Sequence, residues 1–219
     1  MKTSTRHRVL RAFARSLAAT LCAVVLVGCA LSGRPEAAPV ATFVLQGTAA
    51  TVVAPNATTG PVLKIATPDA APAYASSRMA YIEQPYRVDY FARNEWADPP
   101  SRMLKTLLTQ QLSNSGLFRF VFSDSAGVDE ALRLDSQLIE LVQAFTDTSS
   151  EVRVTIRFDL VDVAQRAILV SETISASEPA VTRDPYAGVV AANAAVQRVL
   201  EDLVTNLRGP VTSLRSTSP

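Results

Sequence analysis

Residues 152–160 read Val-Arg-Val-Thr-Ile-Arg-Phe-Asp-Leu, in which apolar and polar side chains alternate without interruption. A two-residue period is typical of a β-strand with one face in the core and the other in water. The flanking residues 132–145 and 168–175 are also rich in strand-forming residues, and short turns separate the three segments. Three long strands joined by short turns predict an antiparallel meander.

The first segment of this meander changes its pattern part of the way along. Its apolar phase includes Leu132, Leu134 and Leu138, and then switches to Ile139 and Leu141. Because side chains alternate strictly between the two faces of a strand, a switch of phase needs an extra residue. We therefore expect a bulge near Ile139.

A helix is predicted before the meander. Asp98 is suited to the N-cap and Pro99 to the first helical position, and Gly116 is a typical residue after the last turn. Between them, leucines recur at helical spacing at positions 104, 107, 108 and 112.

A second helix follows the meander. Asp184 is the expected cap and Pro185 the first residue, and an apolar stripe continues to Leu207. Gly209-Pro210 should end this helix, which would leave residues 211–219 as a flexible tail.

Shorter strands are predicted upstream, at residues 41–46, 62–66, 79–82 and 86–90, with another at residues 117–122. The simplest way to bury both helical stripes is to lay them against one sheet. The sequence thus predicts an α/β fold: a mixed, largely antiparallel sheet packed by two amphipathic helices, in a single domain over residues 41–210.

The first 28 residues have the organisation of an export signal. Five basic residues and no acidic one precede an apolar run at residues 17–27, which is too short to cross a hydrocarbon core of about 30 Å. At its end, Leu26-Val27-Gly28-Cys29 resembles the bacterial lipobox. An ordinary secreted protein with a chance cysteine is the alternative.

The lipobox resemblance implies that the Cys29 thiol takes a diacylglycerol, that the signal is cleaved before it, and that the new amine is acylated. Two or three acyl chains are enough for stable anchoring. Residues 29–40 would then form a lipidated tether, since residues 30–39 are mostly small residues and prolines. Ala30 stands where lipoproteins retained in the inner membrane usually have Asp, which favours a periplasm-facing position in the outer membrane.

The charge and the residue composition exclude several classes of function. Removing residues 1–28 leaves 16 basic and 20 acidic residues, a net charge of −4, without the basic cluster that a nucleic-acid partner requires. The only histidine, His7, leaves with the signal, as does Cys22, and Cys29 would carry the lipid. Neither a histidine-based triad nor a His or Cys metal site can then form. We expect no catalytic residues, no metal and no cofactor beyond the covalent acyl chains.

The order of these motifs resembles the ABC-type transport auxiliary lipoprotein family, the PqiC/YmbA-like group. The features that carry the resemblance extend over nearly the whole mature chain: the lipobox at Cys29, Phe-Val-Leu at 43–45, the strands at 62–66 and 86–90, Asn-Glu-Trp-Ala-Asp-Pro at 94–99 before the first helix, Ser-Gly-Leu-Phe at 115–118, Arg-Phe-Asp-Leu at 157–160, and the last amphipathic helix.

Membership implies a non-enzymatic partner of an Mce-type ABC transporter. Such a lipoprotein would connect the Mce-domain periplasmic protein to the outer membrane and help phospholipid or another hydrophobic cargo to cross the periplasm. A homo-oligomer is left open. The alternative from another class is a structural lipoprotein of outer-membrane assembly, and a hydrolase with two catalytic carboxylates is a weaker third.

Three aromatic residues are candidates for partner contact: Trp96, Tyr86 and Tyr90. Trp96 is better explained as an aromatic side chain that anchors the start of the first helix on the core. Tyr74 and Tyr81, together with the other two tyrosines, are explained either by an aromatic binding face or by packing between strands. The acidic residues around the turn after the Phe-rich strand could bind Ca²⁺ but fit no EF-hand spacing, which favours a solvated turn: Asp124, Asp129, Glu130 and Asp135.

Overall fold

The predicted meander forms the centre of the structure, a computed structural model that describes residues 39–47, 60–124, 127 and 129–217. The described residues contain a short 3₁₀ turn at Pro72–Tyr74, two α-helices, α1 (Pro100–Asn114) and α2 (Pro185–Thr217), and nine strands: β1 (Ala41–Phe43), β2 (Val62–Ile65), β3 (Asp69–Ala70), β4 (Arg78–Gln84), β5 (Arg87–Trp96), β6 (Phe120–Phe122), β7 (Leu132–Phe145), β8 (Ser150–Asp162) and β9 (Ala167–Ala180).

All nine strands belong to one mixed sheet organised around β7. One edge of β7 pairs antiparallel with β8 along its whole length, and β8 pairs antiparallel with β9. The other edge of β7 pairs in succession with β2, β3 and β4, each in parallel. From there the sheet continues antiparallel from β4 to β5, and parallel from β5 to β1 and from β2 to β6. The predicted fold class is confirmed.

The predicted bulge lies in β7 where the apolar phase switches. Leu138 pairs with Ile156 and Glu140 with the next residue of β8, Thr155, so Ile139 has no partner of its own. The extra residue turns Ile139 outward and brings Leu141 to the buried face. The phase switch in the sequence therefore located the bulge correctly.

Both helices cover one face of the sheet. The alternate apolar residues of β8, from Val152 to Leu160, are buried, and α2 packs over β8 and β9. The intervening residues point to the open face, where Thr155 hydrogen-bonds Ser175 across the strands and Arg153 pairs with Glu140. Full burial of each large apolar side chain contributes about 1.5–3 kcal/mol, so the covered face holds the two layers together.

Helix α1 begins one residue later than predicted. Pro99, not Asp98, occupies the N-cap position, with an extended backbone at ψ 133°. The reason is Pro100, because a residue that precedes proline is pushed out of the helical region. Asp98 instead pairs with Arg102 one turn along the helix. The leucines predicted at helical spacing are buried, and Gly116 follows the helix at φ +69° as expected.

The strand predicted at residues 117–122 is shorter than expected. Only Phe120–Phe122 pairs, because its partner β2 begins at Val62, which lies opposite Phe120. Leu117 and Phe118 are buried in the core without being part of a strand.

Helix α2 does not end at Gly209-Pro210, and the tail predicted from residue 211 is wrong in its first part, which is helical to Thr217. A proline inside a helix costs roughly 3 kcal/mol, since it removes a hydrogen bond and crowds the preceding turn. Leu207 and Val211 on either side of it are completely buried and continue the stripe to the half-buried Leu214. This burial offsets the cost of Pro210.

Candidate functional site

The proposed lipid attachment point, Cys29, lies outside the described residues, as do the signal and most of the tether. The described chain starts at Pro39 and enters the sheet through β1, which pairs with the end of β5. Lipidation of Cys29 therefore stays a prediction.

Trp96 ends β5 and is 4% exposed. Its backbone N–H donates to the carbonyl of Ser77 at 2.7 Å, and the N–H of Ala97 donates to the carbonyl of Phe43 at 2.6 Å. The indole lines the interior beside Met79 and Ala192. A side chain so buried has little surface to offer a partner, and its geometry favours the packing role.

Tyr90, in the middle of β5, is half-buried and held on both sides. Its hydroxyl donates to the carbonyl of Ala73 at 3.0 Å, and the guanidinium of Arg78 lies 3.8 Å from the ring centre. A cation over an aromatic face is attracted by the ring quadrupole, so this contact fixes the ring orientation.

Tyr86 is the exposed member of the three candidates. It stands at the tip of the β4–β5 hairpin with a left-handed backbone, φ +66°, and a fully exposed side chain. A ten-residue strand separates Tyr86 from Trp96, which places them roughly 30 Å apart. The structure thus does not bring the three candidates together at one surface.

The other two tyrosines also have separate environments. Tyr74 is buried, and this burial, followed by the negative charge of Glu140, raises the pKa of its hydroxyl. Tyr81 packs against Phe91 at 4.6 Å and Phe145 at 5.9 Å between ring centres. These contacts support strand packing for the tyrosines over a shared aromatic binding face.

Three of the four acidic residues around the turn after β6 are paired with cations. Asp124 contacts Lys105 at 2.8 Å, and this hydrogen bond and charge lower the pKa of its carboxyl. Glu130 lies 3.5 Å from Lys64, and Asp135 lies 2.8 Å from Arg133. Within the described part of the chain no three potential ligands form a metal site. A solvated, charge-paired turn is the arrangement that these contacts favour.

A buried polar network under the first turn of α2 is the feature that sequence reasoning missed. The amide of Gln143 in β7 donates to the Ser150 hydroxyl at 3.0 Å and to the carbonyl of Asp184 at 3.2 Å. The Ser150 hydroxyl donates in turn to the carbonyl of Thr182 at 3.4 Å. The signal available in the sequence was a glutamine inside the apolar run Leu-Val-Gln-Ala at 141–144.

The network is completed by the predicted cap of α2. The Asp184 carboxylate accepts the N–H of Ala187 at 3.0 Å and the hydroxyl of Thr182. The Thr182 bond, followed by the backbone N–H, lowers the pKa of Asp184. Gln143 and the cap together fix the start of α2 on the β7–β8 hairpin.

The segment after β1 is fastened to the same helix. Asn193 accepts the backbone N–H of Gln46 at 2.6 Å and donates to the carbonyls of Val44 at 3.3 Å and Val189 at 2.9 Å. The ring of Phe43 lies 6.3 Å from that of Tyr186. The entry of the chain and the first three turns of α2 thus form one surface region.

None of the helices in the described residues is long and apolar enough to cross a membrane. The fold is shared with solved structures of distant sequence. Protein XCC0632 from Xanthomonas campestris, of the DUF330 family, is 18% identical with a TM-score of 0.70, over 80% of this chain and 99% of that one. An uncharacterized protein is 13% identical with a TM-score of 0.63, over 77% and 99% of the two chains. No curated protein matches the chain in sequence.

The chain therefore shares its fold with XCC0632. The chain belongs to the family of ABC-type transport auxiliary lipoprotein components, whose model matches residues 43–204. This match extends from the end of β1 to the middle of α2 and confirms the family resemblance found in the sequence.

Proposed function

We propose that the protein is a non-enzymatic lipoprotein of an Mce-type ABC transporter that helps phospholipid or another hydrophobic cargo to cross the periplasm. The observation that carries the proposal is the family match over residues 43–204. The partner is the Mce-domain periplasmic protein of the transporter, and the role is to connect it to the outer membrane and maintain the integrity of that membrane.

The anchor in this proposal is the diacylglycerol and N-acyl chain on Cys29. The support is the Leu26-Val27-Gly28-Cys29 sequence and the basic and apolar regions before it. Metabolic labelling with a fatty acid tests the anchor, because Cys29→Ser has no thiol to accept the lipid. We expect label in the native protein and none in the variant; undiminished label in the variant would refute the lipobox interpretation.

Two carboxyls of the domain are held in the ionised state by their neighbours. A general acid needs a carboxyl whose pKa is raised. Hydrogen bonds from Ser171 and Arg157 lower the pKa of Asp159. Hydrogen bonds from Thr182 and from the backbone of the first helical turn lower the pKa of Asp184. These groups stay ionised near neutral pH and act in the fold as hydrogen-bond acceptors.

For partner contact we propose Tyr86, with Tyr90 and Trp96 as the residues that hold the supporting strand. Tyrosine is enriched where interfaces concentrate their binding energy, and Tyr86 stands free at the hairpin tip. Whether copies of the domain assemble is a separate question that sedimentation of the detergent-solubilised lipoprotein answers.

Deletion of the gene tests the transport role in the cell. We expect a weaker outer-membrane permeability barrier or an altered lipid balance, restored by the native protein and not by Cys29→Ser. The transport role would also be supported if genes for an Mce-domain protein, a permease and an ATPase lie beside the gene of this protein. An intact envelope after deletion would favour a structural role in outer-membrane assembly instead.

A further inference from the structure

Four exposed apolar side chains lie around the point where the chain enters the domain. We define the entry patch as Val40, Val44, Tyr186 and Val190, which are 51%, 41%, 66% and 53% exposed. Two come from the segment of β1 and two from neighbouring turns of α2, four residues apart on one side of the helix.

Two contacts hold the backbone segment that carries the two valines against α2. Phe43 lies between the two valines and packs its ring on Tyr186. Asn193, which lies one turn after Val190 on α2, donates a hydrogen bond to the backbone carbonyl of Val44. The apolar side chains are therefore presented by a fixed backbone. When these side chains settle on another surface, the conformational entropy that is lost is mainly that of their own rotamers, because the backbone is already ordered.

We infer that the entry patch rests on the surface of the lipid bilayer that holds the Cys29 acyl chains, an inference that depends on the lipidation proposed above. Ten residues separate Cys29 from Val40 and reach about 35 Å at full extension. A folded domain of about 180 residues has a radius of gyration of about 16 Å, so such a tether keeps the entry side of the domain close to the bilayer.

The chemistry of the patch fits the bilayer interface. Tyrosine, with an apolar ring and a polar hydroxyl, is enriched at the level of the lipid head groups, and valine side chains are apolar. The middle of β9 is different in character, because it presents Ser171, Thr173 and Ser175, all exposed and polar. Because the tether makes docking intramolecular, even weak apolar contact is effective.

The test uses the mature lipoprotein reconstituted in vesicles of phosphatidylethanolamine and phosphatidylglycerol. Cys29 carries the lipid, so Val190→Cys introduces a single reactive thiol for an environment-sensitive NBD label. Thr173→Cys, on the open face, is the matched control, and Val44→Cys is a second patch site if Val190→Cys alters the melting curve. We expect the patch labels to brighten several-fold in vesicles and to be quenched by doxyl-labelled lipid, and the Thr173 label to remain unchanged.

The outcomes separate this inference from the function on which it rests. If the protein floats with vesicles but the patch and control labels respond alike, the inference fails and the anchor stands. If the patch labels respond only when an Mce-domain protein is added, the patch is a protein interface and the inference fails. If the native protein does not float, the lipid anchor fails and the inference fails with it.

Discussion

Gln143 of β7 occupies the space that a side chain at position 188 of α2 would need. A Cβ added at Gly188 would lie 2.6 Å from Cδ of Gln143 and closer still to Oε1. Gly188 is buried and Gln143 is held by Ser150 and by the carbonyl of Asp184. With Gln143 in this position, the helix can approach the sheet so closely because residue 188 has no side chain.

This close approach predicts that Gly188→Ala destabilises the fold. Alanine in place of glycine within a helix gains about 1 kcal/mol, but overpacking a filled site costs about 1–3 kcal/mol. We expect a net loss of up to about 2 kcal/mol in the free energy of unfolding, because Gln143 can move only by breaking its two hydrogen bonds. Urea denaturation measures it.

A matched control lies on the same helix. A Cβ at Gly209 meets no atom within 4 Å, so Gly209→Ala should stabilise the protein. With Gln143→Ala as background, Gly188→Ala should become neutral or stabilising. If Gly188→Ala stabilises the native background as well, the proposed conflict between the two residues does not exist.

Trp96→Ala should lower the free energy of unfolding by about 3–5 kcal/mol, as expected when a buried aromatic side chain is removed from a core. Tyr86→Ala, at an exposed position of the same hairpin, should change it by no more than about 0.5 kcal/mol. A native melting curve for Trp96→Ala, together with weaker binding of a transporter partner, would instead assign Trp96 to a contact surface.

Asp184→Ala should destabilise the protein in a pH-dependent way. The folded-state pKa of Asp184 is lowered by the Thr182 hydroxyl and the first-turn N–H groups. Its contribution is thus complete above the unfolded pKa of about 3.9 and is lost as the pH falls through the lower folded value. Unfolding of native and variant proteins should differ most at pH 7 and converge towards pH 2. If the difference in the free energy of unfolding between the native and variant proteins grows as the pH falls, the role assigned to the Asp184 carboxylate is contradicted.

Val211→Ala tests the last turns of α2. Val211 is fully buried, so removing its two methyl groups should cost about 2 kcal/mol. Thr212→Ala, at the exposed neighbouring position, should have an effect within about 0.5 kcal/mol. Equal and negligible effects would mean that the helix ends at Pro210, as the sequence alone indicated.

Much of the sheet could be predicted from local patterns. The alternation at 152–160 gave the face of β8, and the phase switch gave the bulge at Ile139, because both follow directly from the two-residue period of a strand. The cap at Asp184 was also predictable, since an aspartate before a proline and an apolar stripe is a local signal.

The features that sequence reasoning missed depend on residues far apart in the chain. One of the two partners of Gln143 is the carbonyl of Asp184, 41 residues later, which no local pattern specifies. Pro210 reads as a helix end unless the burial of Val211 is known. The exposure that sets Tyr86 apart from Trp96 and Tyr90 is likewise a tertiary property.

The central claim is that this protein is a component of an Mce-type transporter. The most direct test is to measure by calorimetry, in detergent, the binding of the purified lipoprotein to the Mce-domain protein of the same organism. We expect a saturable complex that Tyr86→Ala weakens by more than about 1 kcal/mol. Ile168→Ala, at another exposed apolar position, should leave it unchanged. The absence of any saturable complex between the two native proteins would contradict the assignment to an Mce-type transporter.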